Sequence, residues 1–427
     1  MLTGQNVAKS CVDGGGGDGS VVYNLPLGKA ASTFHLEKAV CSHGFFMTAP
    51  NHWDPVSKTL QRPLHLLHSD DHESTCSNSS VTVQISQPPQ SSHLLLRVFD
   101  TDPLSPAHQQ SLMAQVRRML RLSEKEEKNV REFQEIYGEA KTSGFGRIFR
   151  SPTLFEDMVK CILVCNCQWS RTLSMARALC ELQYELDHPT SKIAPKTPNG
   201  KESSKRKNRR NENSRNVAKR YTSAMKAEES SGVNYAEVEI DQTVVEEQKH
   251  DSCIGNFPTP IELARLDVNL LGKRCNLGYR ASRILGLAQS VVEGGIELKQ
   301  LEEDCGETSL SNYIKLDQQL GNINGFGPFT RANVLMCLGF YHVIPSDSET
   351  LRHLNQVHGK KSTIKNIQQD IEIIYGKYAP FQFLVYWSEI WSFYEERFGK
   401  LSEVPSSHYK LITAANMRCK KALAEVK

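Results

Sequence analysis

A glycine turn and a single acid, both between residues 325 and 347, have the residue types that could bind a ligand or catalyse a reaction. Gly325 and Gly327 frame a tight turn, and Pro328 follows them at a position that suits the first turn of a helix. The backbone amides of such a turn, and of the helix after it, can bind an anion such as a DNA phosphate. Asp347 lies 22 residues after Gly325, between two serines. A fixed carboxylate can stabilise a developing positive charge or activate a water molecule.

Each feature taken alone also has a simpler interpretation. Glycine commonly ends helices, so the turn could join two helices without binding anything. Ser346 and Glu349 have the spacing of a capping box, so Asp347 could merely occupy the first turn of a helix, where the helix dipole favours an acid.

The turn and the acid together resemble the helix-hairpin-helix (Gly/Pro-Asp) superfamily of DNA glycosylases. In that family a hairpin of the form L-P-G-hydrophobic-G-x-x-T-A precedes an Asp that begins a helix beneath the base pocket. Here the hairpin is Ile323–Thr330, with Asn324 in place of the usual Pro. The resemblance implies that Asp347 is catalytic. It also implies that Gly325, Gly327 and Thr330 contact DNA.

Other segments are similar to 8-oxoguanine and bacterial 3-methyladenine DNA glycosylases. Tyr279 and Arg280 match a segment that wedges the duplex and contacts the orphaned base. Asn166 falls where the oxoguanine relative places an Asn against the opposite cytosine. Trp387 matches an aromatic residue of the base pocket, and Trp169 is expected to join it. The resemblance implies double-stranded DNA with a damaged base as the partner and base-excision repair as the process.

Phe329 occupies the position where members with strand-cleaving activity carry a lysine. Without that amine no Schiff base can form there, so the resemblance implies a monofunctional enzyme that leaves an abasic site. An aromatic residue at this position is found in 3-methyladenine glycosylases and suits cationic bases, which favours an alkylated purine. The matches at Asn166 and Tyr279 favour an oxidised purine, and this alternative stays open. Two further alternatives are a non-catalytic DNA-binding protein and a nuclear interaction protein.

Composition excludes several other classes of protein. The chain has 427 residues, of which 39% are hydrophobic, and a net charge of +3 that by itself indicates no partner. Its 12 cysteines show no pairing typical of a zinc ribbon or an iron–sulfur centre, and we expect free, buried thiols, Cys165 and Cys167 included. We expect no signal peptide, membrane span, metal or cofactor, although a monovalent cation at the hairpin carbonyls is an open alternative.

The pattern along the chain predicts an α+β protein, with an antiparallel β-rich part followed by a mostly helical core. The predicted strands include 34–40, 81–85 and 94–99, and Ser151-Pro152 is predicted to start a helix. The predicted segments are a disordered leader at 1–20, a β-rich domain at 21–125, helical parts at 130–187 and 251–400, an insertion at 188–250 and a tail at 401–427.

The insertion is predicted to be disordered because apolar residues are sparse in it. Residues 192–226 hold 12 Lys/Arg against two Glu, and residues 227–251 hold eight Asp/Glu against one Lys. The run Lys205–Arg210 is typical of a nuclear-import signal or a nucleic-acid patch. We therefore expect a nuclear protein. We also expect the protein to act as a monomer.

Overall fold

The computed structural model describes residues 19–66, 80–189, 254–306, 308–413 and 416. The predicted leader and insertion, including the basic run, lie almost entirely outside these residues. The described residues up to His188 and from Ile254 onward belong to one compact unit.

A five-stranded antiparallel sheet forms the N-terminal part, in the order β1-β5-β4-β3-β2. Its strands are β1 (Val21–Pro26), β2 (His52–Asp54), β3 (Thr59–His65), β4 (Ser80–Ser86) and β5 (His93–Val98). Buried and half-buried residues alternate along β5, so one face of the sheet packs on the core. The predicted α+β class and the strands predicted at 81–85 and 94–99 are confirmed.

The strand predicted at residues 34–40 is wrong, because this segment contains the helix α1 (Leu36–Val40). The buried residues Leu36, Ala39 and Val40 follow helical i, i+3, i+4 spacing. A short apolar run of this kind does not distinguish a strand from a helix by periodicity alone.

Fourteen more α-helices follow within the described residues. They are α2 (Pro106–Met119), α3 (Glu124–Ile136), α4 (Gly138–Ser143), α5 (Leu154–Val164), α6 (Trp169–Asp187), α7 (Pro260–Ala264), α8 (Val268–Arg274), α9 (Arg280–Val292), α10 (Leu298–Glu303), α11 (Leu310–Gly321), α12 (Pro328–Leu338), α13 (Ser348–Gln356), α14 (Ile367–Tyr375) and α15 (Gln382–Phe398). Among these helices none is long and apolar enough to cross a membrane.

The start of α5 lies two residues later than the sequence predicts. Thr153 caps the helix by accepting a hydrogen bond from the backbone of Glu156 at 3.2 Å, so Pro152 precedes the helix and does not begin it. A threonine hydroxyl can satisfy a first-turn amide, which a proline ring cannot do.

Helix α5 packs against both α9 and α12 in the core. The segment after α5 contains Asn166, Tyr279 precedes α9, and the glycine turn precedes α12.

The sheet and the helices share buried polar contacts. Arg62 on β3 and Glu156 on α5 form a fully buried ion pair at 2.9 Å. The indole of Trp53 donates to the carbonyl of Ser402 at 2.8 Å. These contacts hold β2 and β3 against the helical part.

Candidate active site

Asp347 lies at the N-cap of α13, and its Oδ1 accepts a hydrogen bond from the backbone amide of Thr350 at 2.8 Å. The capping box suggested by Ser346 and Glu349 is not formed, because the N-cap is Asp347 and not Ser346. Glu349 pairs with Arg352. Burial raises the pKa of Asp347, and the nearby charge of Glu349 adds to this, while the hydrogen bond from the backbone amide of Thr350 opposes it. The acid is therefore fixed in position and only partly open to solvent.

A buried tyrosine lies behind the acid and joins α13 to α15. The Thr350 hydroxyl donates its one proton to the carbonyl of Pro345 at 2.6 Å. The hydroxyl of Tyr386 lies 2.7 Å from the same Thr350 oxygen, so Tyr386 must be the donor in that pair. Burial and the charge of Asp347 raise the pKa of Tyr386, which keeps this phenol protonated.

Aromatic side chains at helical spacing form a stripe along α15. Trp387 stacks in parallel on Phe383, with ring centroids 5.8 Å apart, and lies 5.9 Å from Trp391. One turn further on, the Tyr394 hydroxyl donates to Glu349, two residues from Asp347. We call Phe383, Trp387, Trp391 and Tyr394 the aromatic stripe; its two tryptophans are half-buried, as the wall of a pocket for a planar ligand requires.

The segment Ser42–Gly44 brings the two predicted pocket tryptophans together. The indole of Trp387 donates to the carbonyl of Ser42 at 2.9 Å. The ring of Trp169 lies against Gly44, where an added Cβ would be 3.1 Å from the indole. This segment extends the aromatic stripe toward α6.

His43 is a candidate site residue that sequence reasoning missed, since a single histidine in a loop carries no motif. Its ring lies 4.8 Å from that of Trp387, and its Nδ1 accepts from the backbone amide of Phe45 at 3.4 Å. Burial lowers the pKa of His43 to about 3, and the charges of Arg121 and Lys160 act in the same direction. The neutral ring therefore carries its proton on Nε2. That atom makes no hydrogen bond among the described residues, and His43 is 6% exposed.

Of the two glycines in the turn, only Gly325 has a positive φ. Gly325 has φ of 89°, in the left-handed region, whereas Gly327 is extended, with φ of −70° and ψ of 174°. Pro328 occupies the first position of α12 as predicted, and the next amides have no acceptor within the helix. Phe329 is half-buried in this first turn.

The side chain of Thr330 does not lie at the surface. It is 1% exposed, and its hydroxyl is buried without a partner. The DNA contact predicted for Thr330 stays a prediction, and its backbone amide, in the first turn of α12, is the group that would make it.

Arg280 is also buried, at 2% exposure. It donates to the carbonyls of Ile162 and Asn166, at 3.2 and 3.1 Å, and to that of Cys165. These are carbonyls at the C-terminal end of α5, which lack partners within the helix. This placement lets Arg280 fix the segment that presents Asn166, and contact of Arg280 with DNA stays a prediction.

Tyr279 and Asn166 remain available to a ligand. Tyr279 is 48% exposed, and its hydroxyl donates to the carbonyl of Cys165 at 3.3 Å. Asn166 is exposed and has φ of 48°, a conformation that asparagine tolerates. Cys165 is half-buried and so is Cys167, contrary to the expectation of buried thiols.

A second missed residue, Arg283, links Tyr279 to the glycine turn. Its guanidinium carbon lies 4.6 Å from the centre of the Tyr279 ring. Its side chain also passes so close to Gly325 that a Cβ there would lie 2.5 Å from Arg283 Cδ. Arg283 is half-buried and places a cation between the turn and the exposed tyrosine.

The contrast between the two glycines gives a first prediction. Gly325→Ala should lower the free energy of unfolding by about 1–3 kcal/mol, because alanine is strained at positive φ and its Cβ would displace Arg283. Gly327→Ala, with open space around the added Cβ, should change it by less than about 0.5 kcal/mol. Urea denaturation of both variants measures the difference, and equal losses would contradict this description of the turn.

Comparisons with known proteins give similarities to solved structures only. No protein-family model matches the chain, and no curated protein matches it. The apo form of Clostridium acetobutylicum 8-oxoguanine glycosylase/lyase is 12% identical, with 92% of this chain and 96% of that chain covered and a TM-score of 0.45. The complex of the same enzyme with double-stranded DNA containing cytosine opposite 8-oxoG is 11% identical. The match covers 87% of this chain and 95% of that chain, with a TM-score of 0.47.

A 3-methyladenine DNA glycosylase from Archaeoglobus fulgidus is 15% identical, with 84% of this chain and 93% of that chain covered and a TM-score of 0.45. These structures represent the two kinds of glycosylase that the sequence motifs resemble. At identities and TM-scores this low, the function has to be inferred from the residues of this chain.

Proposed function

We propose that this protein is a monofunctional DNA N-glycosylase that removes a damaged, alkylated purine and leaves an abasic site. The observation that carries the proposal is the placement of Asp347. A half-buried carboxylate is held at a helix N-terminus, and the aromatic stripe runs beside it from Glu349 to His43. A carboxylate and flat aromatic faces are what hydrolysis of a flipped nucleotide requires.

The reaction needs one acid. Water attacks C1′ of the sugar while the bond from C1′ to the base nitrogen breaks and its electron pair leaves with the base. Asp347 stabilises the positive charge that develops on the sugar and accepts a proton from the water. A purine alkylated at a ring nitrogen carries positive charge and leaves as a neutral molecule, so no second group has to protonate it. Glu349, the nearest other acid, is already paired with Arg352.

Contacts to the duplex are assigned to three neighbouring segments. The amides of the glycine turn and the first turn of α12 would bind a phosphate, with Arg283 adding a positive charge beside them. Tyr279 would fill the gap that the flipped nucleotide leaves, and Asn166 would face the opposite base. Packing of α5 against α9 and α12 supports this assignment, because it places the three segments on connected elements.

The flipped base would enter between Trp387, Trp169 and Phe329. Aromatic faces attract a cationic base, and the neutral ring of His43 adds no opposing charge. The free Nε2–H of His43 can donate to an acceptor on the base edge. An oxidised purine is the second candidate, because carbonyl oxygens on such a base would also accept this hydrogen bond.

Monofunctional action rests on Phe329, which lies in the first turn of α12 where a reactive amine would be needed. Nuclear localisation rests on the run Lys205–Arg210. We propose further that the enzyme acts as a monomer, without a cofactor unless the hairpin carbonyls hold a monovalent cation.

The test is base release from duplexes that each carry one lesion: 3-methyladenine, hypoxanthine, 1,N6-ethenoadenine or 8-oxoguanine. We expect release of an alkylated base, with strand breakage only after alkali. Breakage without alkali would overturn the monofunctional assignment, and release of 8-oxoguanine alone would favour the second candidate. Salt-sensitive DNA binding with no release from any duplex would favour a non-catalytic DNA-binding protein.

A second prediction concerns His43. His43→Phe keeps an aromatic ring against Trp387 and removes the Nε2–H donor. We expect kcat/KM for base release to fall about 10–100-fold, which corresponds to one lost hydrogen bond to the base. His52→Phe, at an exposed position on β2, is the control and should leave the rate unchanged. If His43→Phe and His52→Phe released the base at equal rates, His43 would not contact the base.

A further inference from the structure

Four polar side chains converge behind the aromatic stripe, outside the proposed active site. His353 lies on α13 and His358 just after it, Tyr375 ends α14, and Glu389 lies on α15. Glu389 Oε2 is 2.9 Å from His353 Nε2, 2.8 Å from His358 Nε2 and 2.6 Å from the Tyr375 hydroxyl. The proposed function uses none of these groups.

The four donor atoms also lie close to one another. The Tyr375 hydroxyl is 3.1 Å from His353 Nε2 and 2.9 Å from His358 Nε2. If the four donor atoms are taken as the corners of a tetrahedron, five of the six distances between corners are between 2.6 and 3.1 Å. Ligands of a tetrahedral zinc ion, bound at about 2.0–2.1 Å, are separated by about 3.3 Å. Outward movements of a few tenths of an ångström would accommodate the ion.

Hydrogen bonds alone do not account for five contacts. Nε2 of His353, Nε2 of His358 and the Tyr375 hydroxyl can each donate at most one proton, so two of the five contacts have no proton of their own. One cation at the centre would satisfy all four donor atoms.

We propose that His353, His358, Glu389 and Tyr375 bind one divalent transition-metal ion, of which zinc fits the donors best. Two imidazole nitrogens favour zinc over magnesium or calcium, which prefer oxygen ligands throughout. Four protein ligands leave no open position, as in structural zinc sites. The ion would fasten α13, which begins after Asp347, to α15, which carries Trp387. This proposal does not depend on the proposed glycosylase activity.

The test is metal uptake by the full chain produced without a histidine tag. Because the chain has 12 cysteines, the readout is the difference between wild type and His358→Ala, measured by plasma mass spectrometry after desalting. We expect one more equivalent of zinc in the wild type. We also expect a cobalt-substituted wild type to show the visible absorption of a tetrahedral site, which His358→Ala lacks. His52→Ala, which removes an exposed histidine, should bind as the wild type does.

A chelator provides a second measurement that does not depend on how well a variant folds. Removing a bound ion should lower the unfolding temperature of the wild type and restoring zinc should raise it again, since an ion bound only to the folded state stabilises that state. Equal metal content in wild type and His358→Ala, or an unfolding temperature of the wild type that neither chelator nor zinc changes, would overturn the proposal. The cluster would then be three hydrogen bonds that hold Glu389 ionised.

Discussion

Asp347→Asn is expected to lower base release by a factor on the order of 1,000 while the protein remains folded. Asparagine cannot stabilise the developing charge on the sugar or take a proton from water. It can still accept the hydrogen bond from Thr350, because asparagine is as good an N-cap as aspartate. Single-turnover release from the best lesion duplex measures the rate, and thermal unfolding measures the fold.

Asp267→Asn is the matched control for this variant. Asp267 is also the N-cap of a helix, α8, where it accepts from the amides of Asn269 and Leu270. The same substitution at an N-cap outside the proposed site should leave base release unchanged. If Asp347→Asn released bases as fast as Asp267→Asn, the carboxylate would not be catalytic, and the proposed mechanism would fail.

Asp347→Asn should also differ from the wild type in stability. Burial raises the pKa of Asp347, so ionising this carboxyl at neutral pH makes the folded state less favourable than it would be with a neutral group. This penalty is absent below the unfolded-state pKa of the carboxyl and develops as pH rises through the raised folded-state pKa. Asp347→Asn should therefore be at least as stable as the wild type at pH 7. Base release by the wild type should decline as acid protonates Asp347.

Arg280→Lys is expected to lower the free energy of unfolding by about 3 kcal/mol. Lysine lacks the planar guanidinium group that donates to the carbonyls of Ile162, Cys165 and Asn166 at the same time. Some of these buried carbonyls would therefore lose their hydrogen bond. The loss should also loosen the segment that presents Asn166. Urea denaturation measures the change.

Tyr279→Ala separates this structural role from contact with DNA. Tyr279 is 48% exposed, so its removal should change the free energy of unfolding by less than about 1 kcal/mol. It should nevertheless slow base release, because nothing would fill the gap in the duplex. If Arg280→Lys kept full stability and lost only DNA binding, the arginine would act on DNA, as its neighbour is proposed to do.

The sequence determined the local elements that carry the candidate site. The glycines and Pro328 specified a turn followed by a helix, and short polar residues specified the cap at Asp347, although the cap is Asp347 itself and not Ser346. The alternation of apolar residues specified β4 and β5. These features depend on backbone torsions and spacing within a few residues, which a sequence displays directly.

Only the tertiary structure decided which side chains face solvent at the site. Arg280 and Thr330 are buried, although their motif suggested contact with DNA, because packing of α5 against α9 and α12 encloses both. His43 and Arg283 enter the site through contacts with residues distant in sequence or with a turn formed elsewhere. The same holds for the cluster around Glu389, whose members come from three helices and from the turn after α13. Burial and convergence depend on how whole elements pack, and no short stretch of sequence encodes that packing.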